Sequence, residues 1–180
     1  MYNNHRFLLS VVIFFVGDEN MKLFLKRDTS ADNGCFTVFD ETGEEKYRVL
    51  ALPSKLIAKQ RFTVTDTSGA VAARIRRLPI VGTRTYVLKF GGRHVTFVMF
   101  SAAAGGHSYF YGSNWCVSGE IYTGNFSIID VDKTLILEHR KHTAYRELLI
   151  PNRENELFCV AASVCANLIN TVESPALQAV

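Results

Sequence analysis

The most suggestive chemistry in the chain is cationic. Arg74, Arg76 and Arg77 follow one another closely, with Arg84, Lys89 and Arg93 a short distance on. A second set, His139, Arg140, Lys141, His142 and Arg146, closes a later hairpin. Arg74 and Arg76 sit at i and i+2, so on a strand they share one face, and Arg93 is positioned to join them across a sheet. Arginine offers bidentate hydrogen bonds to phosphate, which makes Arg74, Arg76, Arg77, Arg93, Arg140 and Lys141 the candidate residues for an anionic headgroup. The competing reading is that these are solvated strand ends whose charges protect sheet edges. A net charge of only +3 argues against a nucleic-acid partner.

Other reactive residue types lack a recognisable arrangement. His94, His107 and His142 have no serine or cysteine nucleophile placed beside them by a motif such as G-x-S-x-G. Gly91-Gly92 and Gly105-Gly106 are followed by no Lys-Ser/Thr and open no helix, so neither is a phosphate loop. Cys35, Cys116, Cys159 and Cys165 form no C-x-x-C pair, and no histidine pair stands at zinc-finger spacing. Cys159 and Cys165 lie in an apolar stretch and read as core thiols, which suits a reducing compartment. Trp115 begins a strand and reads as core. No catalytic residue, metal site or cofactor is expected.

The elements that must position the cations are strands. Three stretches are alike: CFTVFDETGEEKYRVL (35–50), RFTVTDTSGAVAARIR (61–76) and NFSIIDVDKTLILEHR (125–140). Each runs from Phe through a β-branched residue to Asp, at Phe36–Asp40, Phe62–Asp66 and Phe126–Asp130, and then reaches Gly43, Gly69 or Lys133. Phe and the β-branched residue share one sheet face, the aspartate opens a turn, and glycine takes the positive φ. That is a repeated hairpin, and it makes the three aspartates turn-formers rather than catalytic or metal residues. LFLK (23–26), TYVLKF (85–90), HVTFVMF (94–100), HSYFY (107–111), WCVSGEI (115–121) and AYRELLI (144–150) bring the count to about twelve strands. SAAAGGH (101–107) reads as a loop. Residues 7–16, FLLSVVIFFV, have the length of a signal core but no small-x-small site after them. A strand or short helix packed on the domain, or a natural start near Met21, are the alternatives, and secretion is the less favoured outcome.

Residues 154–171 break the pattern. Asn152 is placed to cap a helix with Glu154 and Glu156 in its first turn. Leu157, Phe158, Val160, Ala161, Ala162, Val164, Ala166, Leu168 and Ile169 then surround it. A helix apolar on every side either crosses a membrane or is enclosed by protein. This one is shorter than the ~20 residues a bilayer needs. A closed sheet of about twelve strands has an interior too wide for its own side chains. The expected architecture is therefore mainly β: a closed antiparallel barrel of about twelve strands around a central hydrophobic C-terminal helix. Its bounds are residues 21–173, with 1–20 an extension and 174–180 a tail.

The order of these motifs resembles a known family. Residues 21–77, MKLFLKRDTS through AVAARIRR, resemble the N-terminal half of the LURP-one-related, YxjI-like proteins of the tubby C-terminal-like superfamily, relatives of phospholipid scramblases. NWCVSGEIYTGNFSIIDVDKTLILEHRKHT (114–143) is similar to that family's Trp-x-Val-x-Gly-(Asp/Glu) strand, its Phe-x-Ile-x-Asp hairpin and its basic strand end. Lys133 departs from the usual glycine, and residues 1–20 have no counterpart. The resemblance implies a twelve-stranded barrel around a hydrophobic helix. It also implies binding of phosphoinositide headgroups through surface Lys and Arg, as tubby domains do. With the helix filling the barrel and the thiols reduced, the expectation is a non-enzymatic cytoplasmic domain that binds anionic phospholipid headgroups peripherally at a membrane. The alternative is a structural or regulatory protein-interaction module without lipid affinity.

Overall fold

The computed structural model describes residues 20–28, 36–53, 60–101 and 106–169. Its strands are β1 (Met21–Arg27), β2 (Phe36–Phe39), β3 (Glu45–Leu52), β4 (Arg61–Asp66), β5 (Val71–Leu78) and β6 (Thr83–Phe90), then β7 (Arg93–Phe100), β8 (Ser108–Tyr111), β9 (Cys116–Glu120), β10 (Asn125–Ile129), β11 (Leu135–Lys141) and β12 (Arg146–Ile150). Consecutive strands pair antiparallel, and β1 closes the ring on β12 through Met21 opposite Ile150 and Leu23 opposite Leu148. The period-2 alternation decides which side chains enter the barrel. Met21, Leu23 and Leu25 of β1, Phe62 and Val64 of β4, Ala73 and Ile75 of β5, and Val95, Phe97 and Met99 of β7 are all buried.

The three Asp hairpins share one geometry. Asp40 Oδ1 accepts from the Thr42 and Glu44 amides, Asp66 Oδ1 from those of Ser68 and Ala70, and Asp130 Oδ1 from those of Asp132 and Thr134. A register shift precedes each turn, at Val38/Phe39, Val64/Thr65 and Ile128/Ile129. Gly43 and Gly69 both take φ 83°, and Lys133 takes φ 63° in the same place. A lysine there bears a Cβ in the left-handed region, which costs about 1–2 kcal/mol, partly offset by glycine's greater unfolded entropy. Lys133→Gly is therefore expected to stabilise the protein, by about 0.5 kcal/mol net, read as a higher urea midpoint at unchanged m. A lower midpoint would mean that the lysine side chain contributes more than its backbone loses.

The helix is enclosed. Asn152 Oδ1 accepts from the Glu154 amide and starts a single 3-10 turn, Arg153–Asn155, which leads into α1, Glu156–Ile169. The expected start at 154 is thus the 3-10 turn, and residues from 170 onward lie outside the described residues. Every residue from Phe158 to Leu168 is buried, so no face of the helix meets water. The Phe158 ring packs on Trp115, Phe110 and Phe90, which come from three separate parts of the wall. Cys159 Sγ reaches the Ile136 carbonyl, and Lys46 Nζ lies 2.6 Å from Glu156 where the helix enters. Ala161, Ala162 and Ala166 keep the helix thin enough for the wall to close on it. Burial pushes the Cys159 and Cys165 thiols well above their ordinary range, which matches their expected place in the core. Cys116 is exposed, and Cys35 lies outside the described residues, as do residues 1–19, 102–105 of the expected loop, and the tail. Among the described residues no helix is long and apolar enough to cross a membrane.

Candidate anion-binding site

Strand register builds the site from residues far apart in sequence. Arg76 stands opposite Arg61 of β4 on one side and Val87 of β6 on the other. Arg74, two positions earlier, stands opposite Thr63 and Lys89. Because Ala73 and Ile75 point into the barrel, Arg74 and Arg76 point out, and both are exposed together with Arg61 and Lys89. Four cations therefore occupy two adjoining rows on three neighbouring strands. They line a shallow depression of about 330 Å³ with Leu52, Thr63 and Val87. Directly opposed side chains on an antiparallel pair have Cβ atoms about 4.5–5.5 Å apart. Arg61 opposite Arg76, and Arg74 opposite Lys89, are thus like-charge contacts, each destabilising by roughly 0.2–1 kcal/mol. None of the four has a carboxylate within ion-pair distance among the described residues.

The other expected residues fall elsewhere. Arg77 is on the opposite face of β5 from Arg74 and Arg76. It is half-buried opposite Tyr86, whose hydroxyl burial pushes above its ordinary value. Arg93 does approach the patch, bordering a second depression with Arg74, Lys89 and His94. Its guanidinium is held over the rings of Trp115 and Phe90, at 5.5 and 5.8 Å. Arg140 and Lys141 belong to β11. In the ring order β11 is six strands from β5 in either direction, so the two basic sets face away from each other across the barrel. Arg140 is neutralised by Glu138 at 2.8 Å and Glu147 at 3.9 Å. One headgroup cannot be shared between the sets.

The second set is also less of a surface than its sequence suggests. His139 is 1% exposed and faces the helix. Its Nδ1 bonds the Gly124 carbonyl at 2.8 Å, and its Nε2 lies 3.2 Å from Asn167 Nδ2. Asn167 Nδ2 also donates to the Ser163 carbonyl, and Asn167 Oδ1 accepts from Arg146 Nε at 3.0 Å. With Nδ1 carrying the proton, every partner in this chain is matched. Burial lowers the His139 pKa to about 4, and the Arg146 charge adds to the shift. His139 and Arg146 therefore hold the helix rather than an external ligand. His142 lies 3.3 Å from Glu147, and no group of residues able to hold a metal ion exists among the described residues.

Arg61 was not legible as part of the site. Its spacing from Arg74 in the chain carries no signal until the β4–β5 hairpin is registered about Asp66–Gly69.

No family model matches the chain, and no curated protein matches it. Among solved structures, an Arabidopsis thaliana protein determined by X-ray crystallography is similar, with a TM-score of 0.56. The match has 14% sequence identity and covers 83% of this chain and 91% of that one. At such an identity the likeness is one of fold.

Proposed function

We propose that this barrel is a non-enzymatic, LURP-one-related domain of the tubby C-terminal-like superfamily that binds anionic phospholipid headgroups peripherally at a cytoplasmic membrane surface. The observation that carries this reading is the outward patch of Arg61, Arg74, Arg76 and Lys89. Two of its like-charge pairs stand directly opposed with no acidic partner among the described residues. Such an arrangement stores repulsion that a phosphate relieves, and arginine supplies paired donors to its oxygens. The motif order of the chain and its twelve-stranded barrel around a buried helix agree with the family. The buried helix fills the interior and leaves a substrate pocket inside the barrel hard to house, which favours a surface function.

Co-sedimentation with phosphatidylcholine vesicles containing a phosphoinositide tests the reading. Binding is expected at low salt and should weaken steeply as ionic strength rises. The double variant Arg74→Ala/Arg76→Ala removes about 1 kcal/mol per cation near an acidic surface, so its partitioning should fall roughly 30-fold. Arg140→Ala/Lys141→Ala, on the far wall, should change it little. Absence of binding at low salt, or equal losses from the two double variants, refutes the site and favours a protein-interaction module.

A further inference from the structure

The cationic patch runs out toward one end of the barrel, where the chain does something unusual. Residues 79–82, Pro-Ile-Val-Gly, join β5 to β6. Ile80 is 50% exposed and Val81 98% exposed. Turns ordinarily carry Gly, Pro, Asn, Asp or Ser, and a β-branched pair at the tip has no local use. The neighbouring Asp66–Ala70 turn at the other end of β5 follows the rule, with Thr67, Ser68 and Gly69. Leu52, 45% exposed, stands at the same end as the Pro79–Gly82 turn, opposite Arg61. An apolar tip thus projects beyond the opposed Arg61 and Arg76, with Arg74 and Lys89 one row further from it.

We infer that the Pro79–Gly82 turn inserts Ile80 and Val81 beneath the headgroups of an anionic bilayer, with the patch holding the phosphates above them. This rests on the headgroup reading and adds to it a membrane-embedded element and a docking orientation, barrel end down. The dimensions fit. At about 3.3 Å per residue, Arg76 lies roughly 10–13 Å from the tip. The interfacial layer on each side of a bilayer is about 5–7 Å thick. Val81 seated just inside the hydrocarbon therefore leaves the Arg76 and Arg61 backbone roughly 3–8 Å above the outer headgroups, a gap their long side chains can span. Arg74 and Lys89 lie about 7 Å higher, and side chains reaching back toward the surface bring their charges near one Debye length, roughly 8–10 Å. Charge decides between occupants. A protein groove accommodates the apolar tip, but the Arg61, Arg74, Arg76 and Lys89 patch behind it calls for an acidic surface.

The test uses the full chain and vesicles of phosphatidylcholine with phosphatidylserine and a phosphoinositide. Val81→Asp is expected to lower partitioning roughly tenfold or more, because it removes a buried apolar group and adds a like charge to the surface. Val131→Asp, in the exposed turn at the opposite end, should leave partitioning unchanged. In Val81→Trp, emission should shift to shorter wavelength on the vesicles and be quenched by brominated acyl chains. The single native tryptophan, Trp115, packed on Phe158, provides the background. If Val81→Asp binds as well as the unsubstituted chain while Arg74→Ala/Arg76→Ala fails, insertion is wrong and headgroup binding stands. Loss in both Asp variants alike, or a Val81→Trp signal that stays at its solvent value on bound protein, also overturns insertion and leaves the tip to a protein partner. No binding by the unsubstituted chain overturns both.

Discussion

Phe158→Ala is expected to cost about 3–5 kcal/mol of folding stability, the range for truncating a large aromatic side chain in a closed core. The ring is fully buried. Its centroid lies 4.2 Å from Trp115, 5.3 Å from Phe110 and 5.9 Å from Phe90. Phe90 and Phe110 stand on paired strands of the closed wall, β6 and β8, which cannot collapse inward without breaking their pairing, so the cavity stays open and its cost adds to the lost transfer energy. A domain of ordinary stability holds about 5–15 kcal/mol in all, so a fifth or more of it is at stake. Denaturant titration should show the loss as a lower midpoint with an unchanged m value. Leu157→Ala, one residue earlier and only partly buried, should cost much less. A Phe158→Ala penalty below about 1 kcal/mol would mean that the helix does not fill the barrel in solution.

Local chemistry made the fold legible. Phe-x-Val/Ile-x-Asp needs only neighbouring residues to specify a hairpin, and the helix announces its surroundings by lacking a polar face. Lys133 was visible as an exception, and its φ of 63° shows that the turn geometry holds without glycine. The site was legible only in part because it depends on register and ring order. Arg74 and Arg76 share a face by spacing alone, whereas Arg61 joins them through pairing across β4 and β5. The β11 cations form a second basic set in the sequence. The closed topology sends them to the opposite wall, and Glu138 and Glu147 occupy Arg140. His139 carries an interior signal in the sequence itself. It continues the inward period of Leu137, so its alternation marks it as interior despite its charged neighbours.

His139 should make the protein's stability depend on pH between about 6.5 and 4. In the folded chain burial holds its pKa near 4. In the unfolded chain it titrates near 6.5. Over that interval the unfolded state binds the extra proton, so stability rises with pH. The contribution is complete above about 6.5 and is lost as pH falls toward 4, for a total of about 3 kcal/mol. The structural reason is the matched chain from Gly124 through His139 and Asn167 to Arg146. A proton on Nε2 turns that nitrogen into a donor facing the Asn167 amide, and rotating Asn167 merely moves the conflict to Arg146 and Ser163. Asp40 and Asp66 do not obscure the effect. The Thr42 and Ser68 hydroxyls hold their carboxyls below the ordinary value, so their contribution disappears below about pH 4, not above it. His139→Gln removes the titration while keeping a polar side chain beside Phe126, whose ring stacks on the imidazole at 4.6 Å. Urea midpoints should fall as pH is lowered across this range in the unsubstituted protein and stay nearly level in the variant. Parallel profiles in the two proteins would assign the proton to another group and remove the helix lock from the account of acid sensitivity.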